Sequence, residues 1–211
     1  MLKLMEPFQI ALDMQTGILQ PPGQIVRRHL SDMRRMYADL EAVSRILTEE
    51  GDRLIYEVYS VDLPEEEGQV SCCTTIIYPG SVGEEFHMTK GHFHEKRARA
   101  EVYLGLAGQG YLVLQANEGT VRGVPMQAGT IAYVPPLWAH RTVNTGDKPF
   151  IFFAAWPGDA GHDYGTIEQR GFAKLLVKRD GQPAFIDNSR YDKTQQTPRT
   201  SCTDPRPMAW R

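Results

Sequence analysis

Three histidines and one glutamate combine side-chain types and spacing that suit a metal site. His92 and His94 are two residues apart, and on an extended strand such residues share a face, so both imidazoles can reach one ion. Glu101 and His140 add a carboxylate and a third imidazole. This set suits Fe(II), Mn(II), Ni(II), Co(II) or Zn(II) and leaves positions open for substrate oxygens. A lone His-x-His pair also occurs as surface decoration, so the pair by itself leaves both interpretations open.

Glycine, proline and asparagine recur at fixed distances from these candidate ligands. Gly108 lies seven residues after Glu101, and Gly129, Pro135 and Asn144 surround His140. Gly and Pro commonly mark the ends of strands, so the ligands are expected near strand ends. This arrangement favours the metal site over surface decoration.

The composition restricts which class of protein and which kind of ligand are expected. The chain has 211 residues, 41% of them hydrophobic and 23% charged, which is enough for one sizeable core. The formal net charge of -3 supplies no basic field, so neither nucleic acid nor an anionic membrane is an expected partner. A small-molecule ligand is expected instead.

Targeting signals and disulfides are not expected. Lys3, Glu6 and Pro7 interrupt any secretory apolar stretch, and the run 150–156 is far shorter than the ~20 residues that span a bilayer. Adjacent residues of a strand point to opposite faces, so Cys72 and Cys73 make a poor disulfide framework. The sequence predicts a cytoplasmic protein with reduced thiols.

Strands are the main elements expected to position the site. Runs rich in Val, Ile, Tyr, Phe and Thr are separated by turn residues and predict antiparallel strands of a barrel or sandwich. The eight predicted strands cover residues 54–61, 70–78, 101–106, 111–115, 130–134, 141–143, 150–155 and 172–178. There is no strand–helix alternation and no phosphate-binding glycine loop, so a nucleotide-binding fold is excluded.

The two ends of the chain differ from this central region. Apolar residues recur at helical spacing over residues 31–50 and predict one amphipathic helix. Residues 180–211 carry four prolines among polar residues and show neither period, which predicts a loosely ordered tail. The expected organisation is an N-terminal extension with the helix over 1–52, a β-barrel over 53–179 and the tail over 180–211.

The candidate ligands lie in two blocks that resemble the two cupin motifs. Six residues separate His94 from Glu101, whereas the common cupin pattern has three or four, and Leu137 stands where Gly is usual. The longer spacing resembles the cupin-type glucose-6-phosphate isomerases. The segments that carry this resemblance are residues 89–94, 100–103, 133–136, 138–144 and 160–165.

The resemblance implies an all-β cupin barrel, a double-stranded β-helix or jelly roll, preceded by an N-terminal extension containing one helix. It implies a metal-dependent isomerase that interconverts glucose 6-phosphate and fructose 6-phosphate through a metal-stabilised enediolate. It also implies a homodimer, and one divalent metal per chain, with Fe(II) favoured over Mn(II), Ni(II), Co(II) and Zn(II).

Individual roles follow from the same resemblance. The implied metal ligands are His92, His94, Glu101 and His140. The implied catalytic residues are Glu101, His162 and Tyr164, and the implied sugar phosphate contacts are Tyr56, Thr75, Thr89, Gly91 and Tyr103, with His162 and Tyr164. Leu137 occupies a position that is aromatic and near the substrate in some relatives, so one sugar contact is expected to differ.

Several alternatives remain open from the residues themselves. The tyrosines and threonines in strands also suit plain packing, and the basic cluster 96–99 suits a solvated hairpin turn. His29 and His87 have no predicted role. Glu101 suits proton transfer, but a hydride shift fits equally well. A cupin oxygenase, another sugar isomerase or epimerase, and a non-catalytic sugar-binding cupin are the rival functions, and the six-residue spacing and the loop 161–165 favour the isomerase.

Overall fold

β-Strands dominate the regular structure of residues 4–193, the part of the chain that the computed structural model describes. The strands are β1 (Ala11–Leu12), β2 (Leu19–Gln20), β3 (Ile25–His29), β4 (Leu54–Ser60), β5 (Val70–Ile77), β6 (Ser81–Val82), β7 (Glu85–Phe86), β8 (Glu101–Ala107), β9 (Gln109–Ala116), β10 (Val121–Gln127), β11 (Ile131–Val134), β12 (Trp138–Asn144), β13 (Phe150–Pro157), β14 (Lys174–Arg179) and β15 (Gln182–Asp187). The helical elements are a 3-10 helix (Ser31–Met36), α1 (Leu40–Glu49) and α2 (Tyr164–Arg170). The predicted all-β class is confirmed, and each of the eight predicted runs contains a strand.

Two antiparallel sheets position the candidate ligands. One sheet has six strands in the order β11-β8-β13-β5-β4-β3, and the other has three in the order β10-β9-β12. Their facing side chains share one apolar core, to which Ile77 and Phe152 contribute from the larger sheet and Leu112 and Val143 from the smaller. Glu101 begins β8 and His140 lies in β12, so the two sheets bring these residues towards each other.

The N-terminal hairpin β1–β2 covers the outer face of the larger sheet. Leu19 packs there with Tyr59, Ile76 and Ile151 in a second apolar cluster. The hydroxyl of Thr74 donates a hydrogen bond to a carbonyl of the hairpin. The N-terminal extension therefore shields a sheet face that would otherwise expose apolar side chains to water.

The prediction of a single helix over residues 31–50 is wrong, because the helix is interrupted between Met36 and Leu40. The 3-10 helix ends at Met36, Tyr37 is extended, and α1 begins only after Asp39. The Asp39 side chain accepts a hydrogen bond of 2.8 Å from the Ala42 amide, and the Ala38 amide donates to Glu85 at 2.6 Å. These side-chain acceptors replace the helical carbonyls, so the chain forms two short helices instead of one.

The tail expected to be loosely ordered from residue 180 begins instead with β15. This strand pairs with β14 over its full length, and the Phe185 ring packs against Tyr111 at 6.0 Å between centroids. Further on, the hydroxyl of Tyr191 accepts a hydrogen bond from the buried Arg170. The prediction rested on composition, and composition does not show which distant residues pair. The remaining tail residues, 194–211, lie outside the described part of the chain.

The basic cluster 96–99 is also more than a solvated turn. Lys96 and Arg99 both pair with Asp159, at 2.7 and 2.6 Å, and Arg97 pairs with Asp163 at 2.6 Å. These ion pairs attach the segment between the ligands to the chain that follows β13.

None of the helices within residues 4–193 has the length and apolar character needed to cross a membrane.

Candidate active site

Four side chains converge at one point between the two sheets. The segment that carries His92 and His94 lies beside β12, where the His92 amide donates to the His140 carbonyl at 3.1 Å and the reverse bond measures 2.9 Å. Glu101 reaches the same point from the first position of β8. One ligand atom from each of the four residues lies within 4.8 Å of the others. The predicted ligands are therefore brought together, although they come from three separate segments.

Gly91 permits this close approach. Its backbone has a φ of +77°, a region that favours glycine, and a Cβ atom here would lie 2.9 Å from the Cβ of Arg141 and 3.1 Å from the His140 carbonyl. A larger residue would push the segment away from β12. The glycine before the first histidine is thus explained by packing at the site.

Backbone carbonyls orient two of the imidazoles. Nδ1 of His94 lies 3.0 Å from the Arg99 carbonyl, and Nδ1 of His140 lies 3.4 Å from the Trp138 carbonyl. A carbonyl only accepts, so each Nδ1 donates its proton there and each ring turns its Nε2 towards the site. Both Nε2 atoms face Oε2 of Glu101, at 3.1 and 2.9 Å.

The electrostatics of Glu101 and His92 fit a bound cation. Burial alone would raise the pKa of Glu101, but the neighbouring His140 and His94 lower it to about 2, so the carboxylate is ionised. Burial, and then the adjacent imidazoles, hold the pKa of His92 well below its usual value, so this ring is neutral. Within the described residues the buried Nε2 of His92 has no hydrogen-bond partner. Neutral imidazoles and an ionised carboxylate are the forms that bind a divalent metal.

His92, Glu101 and His140 lie at the wall of a cavity of about 370 Å³, whereas the buried His94 is not among its lining residues. The residues predicted to contact a sugar phosphate all line it: Tyr56, Thr75, Thr89, Gly91, Tyr103, His162 and Tyr164. Tyr56, Thr75 and Tyr103 come from three strands of the larger sheet. A cavity of this size suits a small polar metabolite.

His162 and Tyr164 form one side of the cavity. Their rings stack with 5.8 Å between centroids, and His162 also lies 4.6 Å from the His92 ring and 5.6 Å from Trp156. Burial lowers the pKa of His162 and raises that of Tyr164 to about 12, so both side chains are neutral near pH 7. Asp163 caps α2, and the His162 ring is held among aromatic side chains.

Sequence reasoning missed many of the cavity residues, and three of them stand out by their chemistry. Arg28 from β3, Cys73 from β5 and Trp156 from β13 also line the space. Burial and then the charge of Glu101 raise the pKa of the Cys73 thiol, so it stays protonated. Because successive side chains of a strand point to opposite faces, the predicted strand places Cys73 on one face of the sheet. No local motif indicates Arg28 or Trp156.

Thr89 and the adjacent Lys90 are each held by a further polar contact. Thr89 uses its hydroxyl oxygen to accept a 3.0 Å hydrogen bond from the Thr142 amide, and Lys90 pairs with Glu168 of α2 at 3.3 Å. Leu137 is not among the residues that line the cavity; it is 46% exposed with a φ of 74°, which explains why glycine is usual there. The expected change in a sugar contact at Leu137 therefore has no support in the described structure.

Two antiparallel sheets around a buried set of three histidines and one glutamate define a cupin, and the predicted fold class is confirmed. The family model of glucose-6-phosphate isomerase (GPI) matches residues 27–194. The chain belongs to the glucose-6-phosphate isomerase family, and its predicted enzyme class is confirmed.

Similar proteins support this membership over nearly the whole chain. Glucose-6-phosphate isomerase of Thermococcus litoralis is 52% identical over 190 residues, which cover 90% of this chain and 99% of that protein. The enzyme of Pyrococcus horikoshii is 51% identical over 88% of this chain and 97% of its own. A bacterial relative from Sinorhizobium medicae, also a glucose-6-phosphate isomerase, is 35% identical over 92% of this chain and 91% of its own.

Solved structures overlap only in part. A variant of Bacillus subtilis oxalate decarboxylase is 24% identical, with a TM-score of 0.41 over 49% of this chain and 26% of that one. The assignment to a family therefore depends on the sequence relatives.

Proposed function

We propose that this chain interconverts glucose 6-phosphate and fructose 6-phosphate in the cavity between the two sheets, using one divalent transition metal. The observation that carries the proposal is that the four ligand atoms lie within 4.8 Å of one another, and that three of these ligand residues line a cavity that is also lined by all seven predicted substrate contacts. The relatives named above as glucose-6-phosphate isomerases support the choice of substrate.

His92, His94, Glu101 and His140 would hold the metal. A bound divalent cation supplies a Lewis acid that stabilises negative charge on the substrate oxygens at C1 and C2. The mixed nitrogen and oxygen donors suit Fe(II), Mn(II), Ni(II), Co(II) or Zn(II). Fe(II) is the first choice in this proposal because of the family resemblance. The depressed pKa values of Glu101 and His92 support binding at neutral pH, since no proton has to leave either group.

The phosphate group would bind at the part of the cavity bordered by hydroxyls. Tyr56, Thr75 and Thr89 offer hydroxyl groups, and Gly91 lies among them. Lys90 adds a positive charge that is already balanced by Glu168 at 3.3 Å. The substrate phosphate would compete with Glu168 for this ammonium group.

Glu101 is the proposed proton carrier between C2 and C1. It is 4% exposed and ionised, so one oxygen can accept a proton from the sugar and return it to the neighbouring carbon. The Tyr103 hydroxyl lies beside this carboxylate, and burial followed by the Glu101 charge raises the pKa of Tyr103 well above its usual value. Tyr103 therefore stays a hydrogen-bond donor while the charge on Glu101 changes.

His162 and Tyr164 are proposed to contact the sugar oxygens opposite Glu101. Both are neutral near pH 7 and both face the cavity, so they can donate hydrogen bonds to an oxygen on which negative charge develops. The homodimer and the cytoplasmic location expected from the sequence remain predictions.

A coupled assay with the metal-loaded protein tests the proposed activity. Fructose 6-phosphate should be converted to glucose 6-phosphate, whereas unphosphorylated fructose should react far more slowly because it lacks the phosphate anchor. The matched control is His29→Ala, which removes an imidazole that lies outside the cavity lining. No turnover of fructose 6-phosphate by protein with one bound metal per chain would contradict the proposal.

A further inference from the structure

A second, smaller cavity lies on the other side of α2 from the proposed active site. It has a volume of about 50 Å³ and is enclosed by the end of the 3-10 helix, by α2 and by the segment after β15. Glu168 borders both cavities. We call this space the arginine pocket, because Arg35, Arg141, Arg170 and Arg190 all line it.

The charges around the arginine pocket are unbalanced. Glu168 is the one carboxylate among its lining residues, and that group is paired with Lys90 on the other side. Within residues 4–193 none of the four arginines has a carboxylate oxygen within 4.0 Å. Glu85, which does not line the pocket, interacts electrostatically with Arg141 from more than 4.0 Å away. Four cations with so few counter-charges repel one another and attract an anion.

Two of these arginines are deeply buried, which makes the imbalance costly. Arg141 is 5% exposed and Arg170 is 1% exposed. Arg141 donates to the Lys90 carbonyl at 2.7 Å and Arg170 to the Asn117 side chain at 2.9 Å, yet the Nε atom of each is buried with no partner among the described residues. A buried guanidinium normally has its charge paired and its donors satisfied.

The remaining two arginines face the pocket from its more exposed rim. Arg190 donates to the Tyr37 carbonyl at 2.9 Å, while Arg35 makes no hydrogen bond or ion pair to any residue in the described part of the chain. Arg35 is therefore free to move towards a ligand. Guanidinium groups bind tetrahedral oxyanions by paired N–H donors, which makes this geometry suitable for phosphate.

The geometry points to a binding site for a small free oxyanion, inorganic phosphate being the expected ligand. We propose that it sits among the four guanidinium groups and neutralises their charge. The volume of about 50 Å³ is several times the roughly 10–15 Å³ that one water needs, but far below the 370 Å³ of the larger cavity, so a sugar phosphate would not fit. This site is separate from the proposed active site.

Calorimetric titration of the full-length, metal-loaded protein with inorganic phosphate tests this inference. The titration is done at constant ionic strength, with fructose 6-phosphate present to occupy the larger cavity. The test variants are Arg35→Gln and Arg35→Glu, because Arg35 is exposed and its loss should not affect folding. The matched control is Arg34→Gln, which removes the same charge from the neighbouring exposed position.

Wild type and Arg34→Gln should bind one phosphate per chain with equal affinity. Arg35→Gln should bind it about tenfold more weakly, since one charge-assisted contact is lost, and Arg35→Glu should not bind it measurably. Equal phosphate affinity in all four proteins would overturn the proposal, as would an absence of binding to wild type. The comparison does not depend on turnover, so failure of the proposed isomerisation would be recognised separately.

Discussion

Each of the four proposed ligands supplies one donor atom, and His92 is the simplest to remove. His92→Ala takes away a buried imidazole whose Nε2 has no partner within residues 4–193, so the fold should survive while the metal is lost. Metal analysis should find about one ion per chain in wild type and a large loss in His92→Ala and in His140→Ala. His29→Ala should retain the ion. Wild-type metal content in both ligand variants would show that the metal lies elsewhere.

Replacement of Glu101 separates the two routes of isomerisation. Glu101→Gln keeps the size of the side chain but removes the base, so proton transfer predicts a fall in kcat of the order of 10²-fold with metal still bound. Glu57→Gln is the control, since Glu57 is another buried carboxylate but contacts Arg27 and Tyr78 instead of the cavity. Deuterium from solvent should appear at C1 of the fructose 6-phosphate that wild type forms from glucose 6-phosphate. A fall in kcat much smaller than this, with no deuterium incorporated, would favour the hydride shift.

His87 should make the protein sensitive to acid. Burial, and then the charge of Arg53, lowers the pKa of His87 to about 4, while the unfolded chain takes up the proton near 6.5. Stability is therefore expected to fall as the pH decreases from about 6.5 to 4, by up to about 3 kcal/mol from this residue. Denaturant unfolding of wild type and His87→Gln, both with chelator present, should show a weaker pH dependence in the variant. Identical pH dependence would contradict the assignment.

The site residues differ in how strongly local sequence patterns indicate them. His92 and His94 are marked by their own spacing, and their convergence with Glu101 and His140 follows from the cupin resemblance. Arg28 and Trp156 carry no such local signal. They reach the cavity because of the register of β3 and β13 in the larger sheet, and that register depends on pairing between distant segments.

At the scale of elements, the central strands and the edge strands β11 and β12 were predictable, but three other edge strands were not. β3, β10 and β15 each lie at the edge of a sheet. Pro125 interrupts β10, Pro183 interrupts β15, and adjacent arginines interrupt β3. Edge strands tolerate proline and charge because one side of the backbone is unpaired, and these same residues remove the apolar signal.

The pairing of β15 and its following segment predicts a contribution to stability. Tyr191→Phe removes the hydroxyl that accepts from Arg170, a buried cation, and should destabilise the protein by roughly 1–3 kcal/mol. Thermal unfolding measures the effect. Tyr133→Phe, which alters an exposed tyrosine, should leave the melting temperature nearly unchanged. Equal melting temperatures for both variants would show that the Arg170–Tyr191 contact adds nothing.

At the scale of the whole molecule, strand-forming runs and turn residues were enough to predict the core fold. They did not predict how far along the chain the folded part extends after β14. The sequence predicted that the barrel ends at residue 179. The ordered chain continues instead, because β15 pairs with β14 in a further sheet of the order β15-β14-β7-β6 and Tyr191 contacts Arg170. The polar, proline-containing composition of this segment resembles that of an unpaired tail. Only its partners in β14 and α2 make it part of the fold.

Removal and return of metal is the measurement that tests the central claim most directly. After chelation, isomerisation of fructose 6-phosphate should fall by at least about 100-fold, and Fe(II), Mn(II), Ni(II) or Co(II) should restore it to differing extents. The same ions should restore no activity to His92→Ala. Full activity in protein shown by metal analysis to be free of metal would contradict the account.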